Sequence, residues 1–404
     1  MSGCESGQDP FLHFKGRCTV NRRKYALLQA LYWCSAAALF CFAVSFLQAQ
    51  GFSNAQIGLV VALGNLLGFS GSILLGAEID RGRLRLFSAA PAALGLLIAA
   101  ACTLVLHAGR DLFTGFFLIL CFACCLSLNP LYIKIAGLIQ KTDPDFSFSL
   151  SRGVGSLAFA LTSWGMGALV QMLSTSIIPI AIACTAGIQL PVLMSLHRSC
   201  IRVDLGEKRK ESSASLLSFM RAMPCFCLLL LAIAVIFAAN NTVNNFLINV
   251  VQNLRGNYTD LGRLSFFSAV IECPAMLAYS RASAKMRKRC LRLSLLFFPI
   301  KLLAISLAGS VPALFAAYLF HGLSFGLYTP AIVDYIEHAV PAADSTKGQT
   351  MTAAAASLGT IAATLASGIM LDRLSVQNVL LILTLTAAFG AILGLLATRS
   401  REQN

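Results

Sequence analysis

Residues Tyr318 to His338, YLFHGLSFGLYTPAIVDYIEH, make an apolar run long enough to cross a bilayer, yet His321 sits near its middle and Asp334 toward its end. A helical span needs about 20 apolar residues at ~1.5 Å of rise each. An unpaired charge at mid-membrane costs roughly 2.5–3.5 kcal/mol on translocon-type scales. Such side chains are therefore expected to face protein or water, and the run implies partners elsewhere in the chain.

Windows of the same kind recur near 25–48, 56–78, 86–107, 113–139, 152–172, 176–196, 224–249, 260–281, 290–309, 312–337, 348–371 and 376–398. With 57% hydrophobic and 12% charged residues and a mean hydropathy of +0.76, a soluble globular domain is excluded. Open strands would leave backbone groups unsatisfied in lipid, and the short alternating strands of a porin are absent. The expected fold class is an all-α membrane protein with twelve transmembrane helices. The expected divisions are a disordered, cytoplasmic N-terminal tail (1–24), six helices (25–196), a cytoplasmic linker (197–222), six more helices (223–398) and a cytoplasmic tail (399–404).

The net charge of +14 is distributed as topology rather than as a nucleic-acid surface. With the N-terminus inside, the inner segments collect Lys15 to Lys24, Arg81, Arg83 and Arg85, the linker cations, and Lys285 to Arg292, whereas the outer turns hold Arg110, Arg255, Arg263 and Arg373. That is the positive-inside pattern, and it predicts both termini in the cytoplasm of a plasma (inner) membrane protein. Most of the fourteen cysteines lie inside spans, where Cys behaves as a small hydrophobe; Cys121-x-x-Cys124 has redox spacing but no βαβ context. There is no metal set, nucleophile elbow or phosphate loop, so neither an enzyme nor a cofactor is expected.

The two halves resemble each other. A shift of 204 places Gly58 on Gly262 and Arg81, Arg83 and Arg85 on Lys285, Arg287 and Arg289; a shift of 200 places Pro130 on Pro330 and Lys134 on Asp334. Parallel repeats of this size put a binding site at mid-membrane between them. Gly64-x-x-x-Gly68 predicts a close helix contact.

Polar groups inside the spans supply candidates for that site. Tyr32 lies in the first span with Gln29, Trp33 and Ser35; Arg152 and Phe159, seven apart, share a face of the fifth; Asn241, Asn244 and Asn245 cluster in the seventh. Glu272 shares a face of the eighth with Ser265, Ser268 and Tyr279, Lys301 stands alone in an apolar run, and His321 aligns with Ser324 and Tyr328. In an unkinked helix Asp334 would point about 140° away from His321, so the two should not face one cavity. Glu272 can exchange a proton, with Lys301 and His321 as cations beside it; Arg152 offers a planar donor fork and Phe159 a flat apolar face. Each has a plainer reading: Glu272 as a structural ion pair, Arg152 snorkelling to the interface, the asparagines as interhelical glue, and Lys134 with Asp334 as end-of-helix charges.

At these residues the chain resembles the major facilitator superfamily, and within it the branch of the lactose/proton symporter, nucleoside permeases and phenylpropionate permeases. The likeness covers the chain after residue 24. GFSNAQIGLVVALGNLL…LLGAEIDRGR is similar to the family's second span and its conformational G-x-x-x-D-R turn, carried here by Gly76, Asp80 and Arg81, with Ser72-Ile73 where a Gln-Pro is usual. FSLSRGVGSLAFAL is similar to the segment supplying a sugar-binding Arg and an aromatic platform, which makes Arg152 the Arg and Phe159 the replacement for a Trp. Glu272, Lys301 and His321 fall where the symporter has its coupling Glu, Arg and His.

The resemblance implies two six-helix bundles around a central cavity that rock between inward- and outward-open states, carrying a sugar, nucleoside or organic acid with H+ as a monomer and without a cofactor. An uncoupled facilitator or efflux carrier, and a non-transporting receptor or scaffold, are the rivals. Several positions depart from the pattern: Ile133 or Lys134 replaces a carboxylate after the fourth-span proline, Ser324 replaces a proton-carrying Glu, and Asn241 with Ala356 and Asn244 with Tyr318 replace two Asp–Lys pairs. Lys134, Arg152, Lys301 and His321 against Glu272 and Asp334 leave a locally basic cavity, which suits an anionic solute.

Overall fold

The computed structural model describes residues 10–80, 89–105, 112–200, 216–341 and 344–399, and among them there are helices and turns but no strand. The first group comprises α1 (Pro10–Ala49), α2 (Asn54–Asp80), α3 (Ala89–Val105), α4 (Leu112–Thr142), α5 (Phe148–Met172) and α6 (Ile177–Cys200). A short α7 (Leu216–Ala222) precedes α8 (Pro224–Asn245), α9 (Leu247–Asn253), α10 (Tyr258–Arg281) and α11 (Ala284–Ser306). Then come α12 (Val311–Tyr318), a π-helical turn (Gly322–Gly326), α13 (Leu327–Ala339), α14 (Ser345–Leu371) and α15 (Val376–Arg399).

Among the described residues ten segments are long and apolar enough to cross a membrane, with α12, the π turn and α13 counted as one. The 17-residue α3 and the α11 helix, whose first half carries Lys285, Arg287, Lys288, Arg289 and Arg292, are not among them. Leucines and other large apolar side chains stand outward along these helices, as at Leu150 (73% exposed) and Leu385 (71%), which is what a lipid-facing surface requires.

Local chemistry sets the helix ends. Ser147, Ser283 and Ser310 cap α5, α11 and α12 through their hydroxyls, and Asn257 with Asp260 forms a reciprocal capping box at α10. The Ser147 cap starts α5 four residues before the expected span. Three other expectations need correction. Helix α1 begins at Pro10, so the helix reaches back into the stretch read as a disordered tail. The span expected over 224–249 breaks at Phe246, after four asparagines in the last six residues of α8, which compete poorly for helix interiors. The 312–337 span is interrupted by the π turn. Of the linker, 201–215 lies outside the described residues.

Helix α1 packs on α4, α5 and α6, and α2 on α4; α8 packs on α14 and α15, and α11 on α13 and α15. The Gly64/Gly68 pair does what its spacing predicts. A Cβ at Gly64 would lie 2.6 Å from Phe122 Cβ, and one at Gly68 2.7 Å from Leu126 Cβ, so α2 rests on α4 at two successive turns.

The two groups of helices cross at α5–α10 and α2–α14. A Cβ on Gly262 would meet Gly167 Cα at 2.8 Å, and one on Gly58 would meet Gly368 Cα at 3.2 Å. Gly58 and Gly262, matched by the sequence shift, thus hold equivalent places. The caps beside them are equivalent too. Gln171 Oε1 accepts from Tyr258 N at 3.2 Å, while Asp372 accepts from Asn54 N and Ala55 N, both at 2.9 Å. Gln48 Nε2 donates to Asn249 Oδ1 (2.9 Å) and Asn249 Nδ2 to Asn54 Oδ1 (2.9 Å), extending the contact across α1, α9 and α2. All these contacts lie at the end holding turns 50–53, 173–176, 254–257 and 372–375.

Burial works against the charge on Asp372, but the N–H groups of Ala55 and Asn54 outweigh it and hold its carboxyl below the usual carboxylate value. Its contribution is therefore present above about pH 4 and fades as the pH falls through the lowered value. Asp372→Ala is expected to loosen this seal by about 1 kcal/mol or less, because the carboxylate is exposed. Faster amide exchange at residues 54–58 near neutral pH, converging with the parent protein in strong acid, is the expected reading.

Candidate functional site

Three spans of the second helix group converge on Glu272, Lys301 and His321. Lys301 lies on the buried stripe of α11 with Ser294, Phe298 and Ile305, and is 0% exposed. His321 precedes the π turn. There, Gly322 and Gly326 let the backbone press on α10, since a Cβ at Gly322 would lie 2.7 Å from Ile271 O and one at Gly326 3.2 Å from Glu272 Cα. The imidazole is sandwiched between Tyr318 and Phe325, with ring centroids 6.0 and 5.5 Å away.

The result is a contiguous chain of polar contacts. Glu272 Oε1 lies 3.0 Å from His321 Nε2, and His321 Nδ1 lies 3.3 Å from Lys301 Nζ. Lys301 Nζ also donates to Asn240 Oδ1. Asn240 Nδ2 donates to Asn241 Oδ1, and Asn241 Nδ2 to Thr360 Oγ1, each at 3.0 Å. With Lys301 as an ammonium, which can only donate, a neutral His321 would accept at Nδ1 and donate Nε2–H to the Glu272 carboxylate. Lysine and glutamate are thereby linked through one imidazole.

In the first helix group the Arg152 guanidinium carbon stands 3.9 Å from the centroid of Trp33, and Nη1 donates to Ser156 Oγ at 2.8 Å. Phe159 meets the same indole edge-on at 6.0 Å. Gly155 makes room for it, because a Cβ there would lie 3.1 Å from Trp33 Nε1. The indole is held from behind: Trp33 Nε1 donates to Gln29 Oε1 (3.2 Å), Gln29 Nε2 to Tyr25 Oη (2.7 Å), and Tyr25 Oη to Tyr132 O (3.0 Å). Tyr132 Oη then donates to Gln189 Oε1 at 2.7 Å, tying α1, α4 and α6 together.

The remaining candidates are placed as follows. Tyr32 is 2% exposed and packed between Trp33 and Tyr132, so it belongs to the core; its neighbour Trp33 carries the aromatic surface. Asn241 and Asn245 bond Thr360 and Thr364 of α14, and Asn244 accepts from Tyr318 Oη at 3.3 Å, an interhelical role for all three. Asn244 and Tyr318, expected to replace one lost ion pair, are thus in contact. Lys134 Nζ reaches Gly76 O at 3.1 Å, away from Glu272. Gly76 has open space at its Cβ position; Asp80 ends α2 with its side chain outside the described residues, as is Arg81 altogether. Ser324 bonds back to His321 O. Asp334 accepts from Tyr279 Oη at 2.9 Å, so both His321 and Asp334 bond to α10, at Glu272 and Tyr279 respectively. The angle expected between them assumed a regular helix, and the π turn and Pro330 remove that premise.

Asn240 and the Gly322/Gly326 pair were not singled out from sequence, and Trp33 was named beside Tyr32 without a role of its own. Two signals existed. Trp33 is one of only two tryptophans and lies four residues from Gln29, and Gly322-x-x-x-Gly326 is a small-residue contact motif beside an intramembrane histidine.

The MFS_1 like family model matches residues 23–391. Among solved structures, a mutant form of the nucleoside transporter NupG has a TM-score of 0.76 at 13% identity, covering 93% of this chain and 99% of its own. The POT family transporter PepTSo has 0.76 at 10% identity over 95% and 98%. A bacterial homolog of the human lysosomal transporter Spinster, in an inward-facing and unoccupied conformation, has 0.71 at 12% over 96% and 98%. A search of curated protein sequences finds no match. At these identities the structures establish a shared fold, and the family match extends over nearly the whole chain. The protein therefore belongs to the MFS_1-like family and is a multi-pass membrane transporter of the major facilitator type, not an enzyme.

Proposed function

We propose that the chain carries a small polar solute (a sugar, nucleoside or organic acid) by proton-coupled symport, with Glu272 as the proton-exchanging group. In this reading twelve spans form two six-helix bundles, 25–196 and 223–398, joined by the 197–222 linker, in a monomer with both termini on the cytoplasmic side of the plasma (inner) membrane. The bundles rock about a site between them. The observation that carries the reading is the Glu272–His321–Lys301 chain of contacts, in which a carboxylate with 23% of its side chain exposed is joined through one imidazole to a lysine cut off from solvent. Loss or gain of one proton at Glu272 changes the charge of that whole assembly, which is what coupling to a second equilibrium requires. Contact between the helix groups at the 50–53 end supports a state sealed there.

Glu272→Gln tests the coupling. In proteoliposomes the variant is expected to lose proton-driven accumulation while retaining solute exchange at a rate within about threefold of the parent, because Gln keeps the shape but cannot give up a proton. Proton-driven accumulation that survives the substitution would put the coupling proton on a group other than Glu272, whereas a parent protein that equilibrates but never accumulates solute would leave an uncoupled carrier as the better account.

A further inference from the structure

Helix α11 begins cationic and continues apolar on one and the same outward face. Lys285, Lys288, Arg289 and Arg292 fall at i, i+3, i+4 and i+7, so they share a side of the helix. Lys285, Lys288 and Arg289 are exposed, whereas Arg292 is tied to the hydroxyl and carbonyl of Thr398 on α15. At ~100° per residue, Leu296 and Leu303 project within about 20° of Lys285, and Leu293 and Ile300 within about 80°. Those four are 41%, 44%, 39% and 42% exposed, as side chains against lipid are. The three exposed cations therefore look toward lipid too, at the end opposite turns 50–53. Lys301, about 160° round from Lys285, is on the buried face.

Nothing in the described fold balances this charge. The first turn of α11 holds no acidic residue, and among the described residues no carboxylate lies within ion-pair distance of Lys285, Lys288 or Arg289. The positive end of the helix dipole is there as well, where cations are disfavoured. Membrane topology accounts for basic residues at this end, but cations in the turn or on any face would serve it equally. Depth adds a further constraint. From Leu293 to Ser306 the helix rises about 21 Å, against ~30 Å of hydrocarbon. The basic turns are thus drawn into the headgroup layer, with their stems along the apolar boundary.

We propose that this stripe binds an anionic phospholipid, its phosphate across Lys285, Lys288 and Arg289 and its acyl chains along Leu293, Leu296, Ile300 and Leu303. A zwitterionic lipid brings its own cation and leaves the stripe unbalanced. A soluble phosphate leaves the apolar face uncovered. Each cation near an anionic surface is worth about five-fold, so three favour the anionic lipid about 100-fold over a zwitterionic one with the same chains. The site lies on the outer surface of the helix bundle and is the same whatever solute is carried.

The delipidated full chain, in a neutral detergent, is titrated with phosphatidylglycerol, with phosphatidylcholine of the same chains, and with glycerol 1-phosphate. Native mass spectrometry counts the bound lipid, and thermal shift reports its effect on the fold. Phosphatidylglycerol is expected to bind about 100-fold tighter than phosphatidylcholine, with a preference that shrinks as salt is raised. Lys285→Gln/Lys288→Gln/Arg289→Gln should lose about ten-fold or more of that affinity, while the charge-keeping Lys285→Arg/Lys288→Arg/Arg289→Lys should stay within about threefold. Arg255→Gln/Arg263→Gln/Arg373→Gln, which removes three exposed cations at the opposite end, should also stay within about threefold. Equal binding of the two lipids, equal loss in the opposite-end variant, or glycerol 1-phosphate bound as tightly as the lipid overturns the proposal. Lipid binding that appears only in Asp204→Asn/Glu207→Gln/Glu211→Gln would give the stripe to the linker's own acids and overturn it as well.

Discussion

Lys301→Met is expected to lower proton-coupled uptake about 100-fold and to lower the melting temperature, whereas Lys301→Met/Glu272→Gln is expected to regain most of the lost stability and none of the coupling. Lys301 is fully buried and its Nζ contacts are Asn240 and His321. Removing it leaves the Glu272 carboxylate facing an imidazole that no longer has a donor at Nδ1. Truncating one member of a buried, hydrogen-bonded charged set costs about 2–5 kcal/mol, much of it the penalty on the charge left behind. Deleting the opposite charge as well removes that penalty, so the double-mutant cycle should give an interaction energy of about 1 kcal/mol or more. Strictly additive changes in stability would mean that the imidazole carries no coupling between the two charges. Uptake and unfolding of the four proteins measured in the same detergent and lipid decide it.

The second large effect concerns the seal. In Gly262→Val the new side chain would start 2.5 Å from Ser163 O and 2.8 Å from Gly167 Cα, which are backbone atoms that cannot rotate aside. Overpacking of this kind costs about 1–3 kcal/mol, and the α5–α10 crossing can relieve it by separating. That is roughly a 5- to 150-fold shift away from the sealed arrangement. Hydrogen exchange should rise at residues 163–172 and 258–264, with uptake limited by the return to the sealed form. Gly165→Val on the same α5 is the control, since nothing lies within 4 Å of its Cβ position. An unchanged exchange pattern in Gly262→Val would show that this contact does not hold the end closed.

Much of the site was legible because intramembrane charge is costly and therefore sparse. Glu272, Lys301 and His321 stood out against apolar runs, and in the folded chain they are neighbours. Arg152 and Phe159 were paired by a seven-residue spacing and do share one surface. Tyr32 misled for a related reason: polar and aromatic residues crowd together there, and helical spacing alone does not say which of two adjacent rings is covered by α4. Trp33 was uncovered and Tyr32 covered. The asparagines of α8 were open to two readings, and their contacts with Thr360, Thr364 and Tyr318 favour the interhelical one.

The π turn marks the limit of pattern reading. A wider turn costs hydrogen-bond geometry and is retained where packing against a neighbour repays it; here Gly322 and Gly326 supply that packing on α10. From a one-dimensional pattern the run 318–338 is one helix.

What the sequence by itself determined is the solvent and the material: long apolar runs that satisfy their backbone only as helices, basic turns on one side, a repeat that matches Gly58 to Gly262, and the small set of ionisable groups that must find company. Tertiary structure alone decided which company. Asn240 rather than a carboxylate meets Lys301, Trp33 carries Arg152, and Asp372 caps the start of a helix more than 300 residues away in the chain. Periodicity reports the face of a helix, but the partner of that face depends on how separate helices cross, and that is set by packing between segments far apart in sequence.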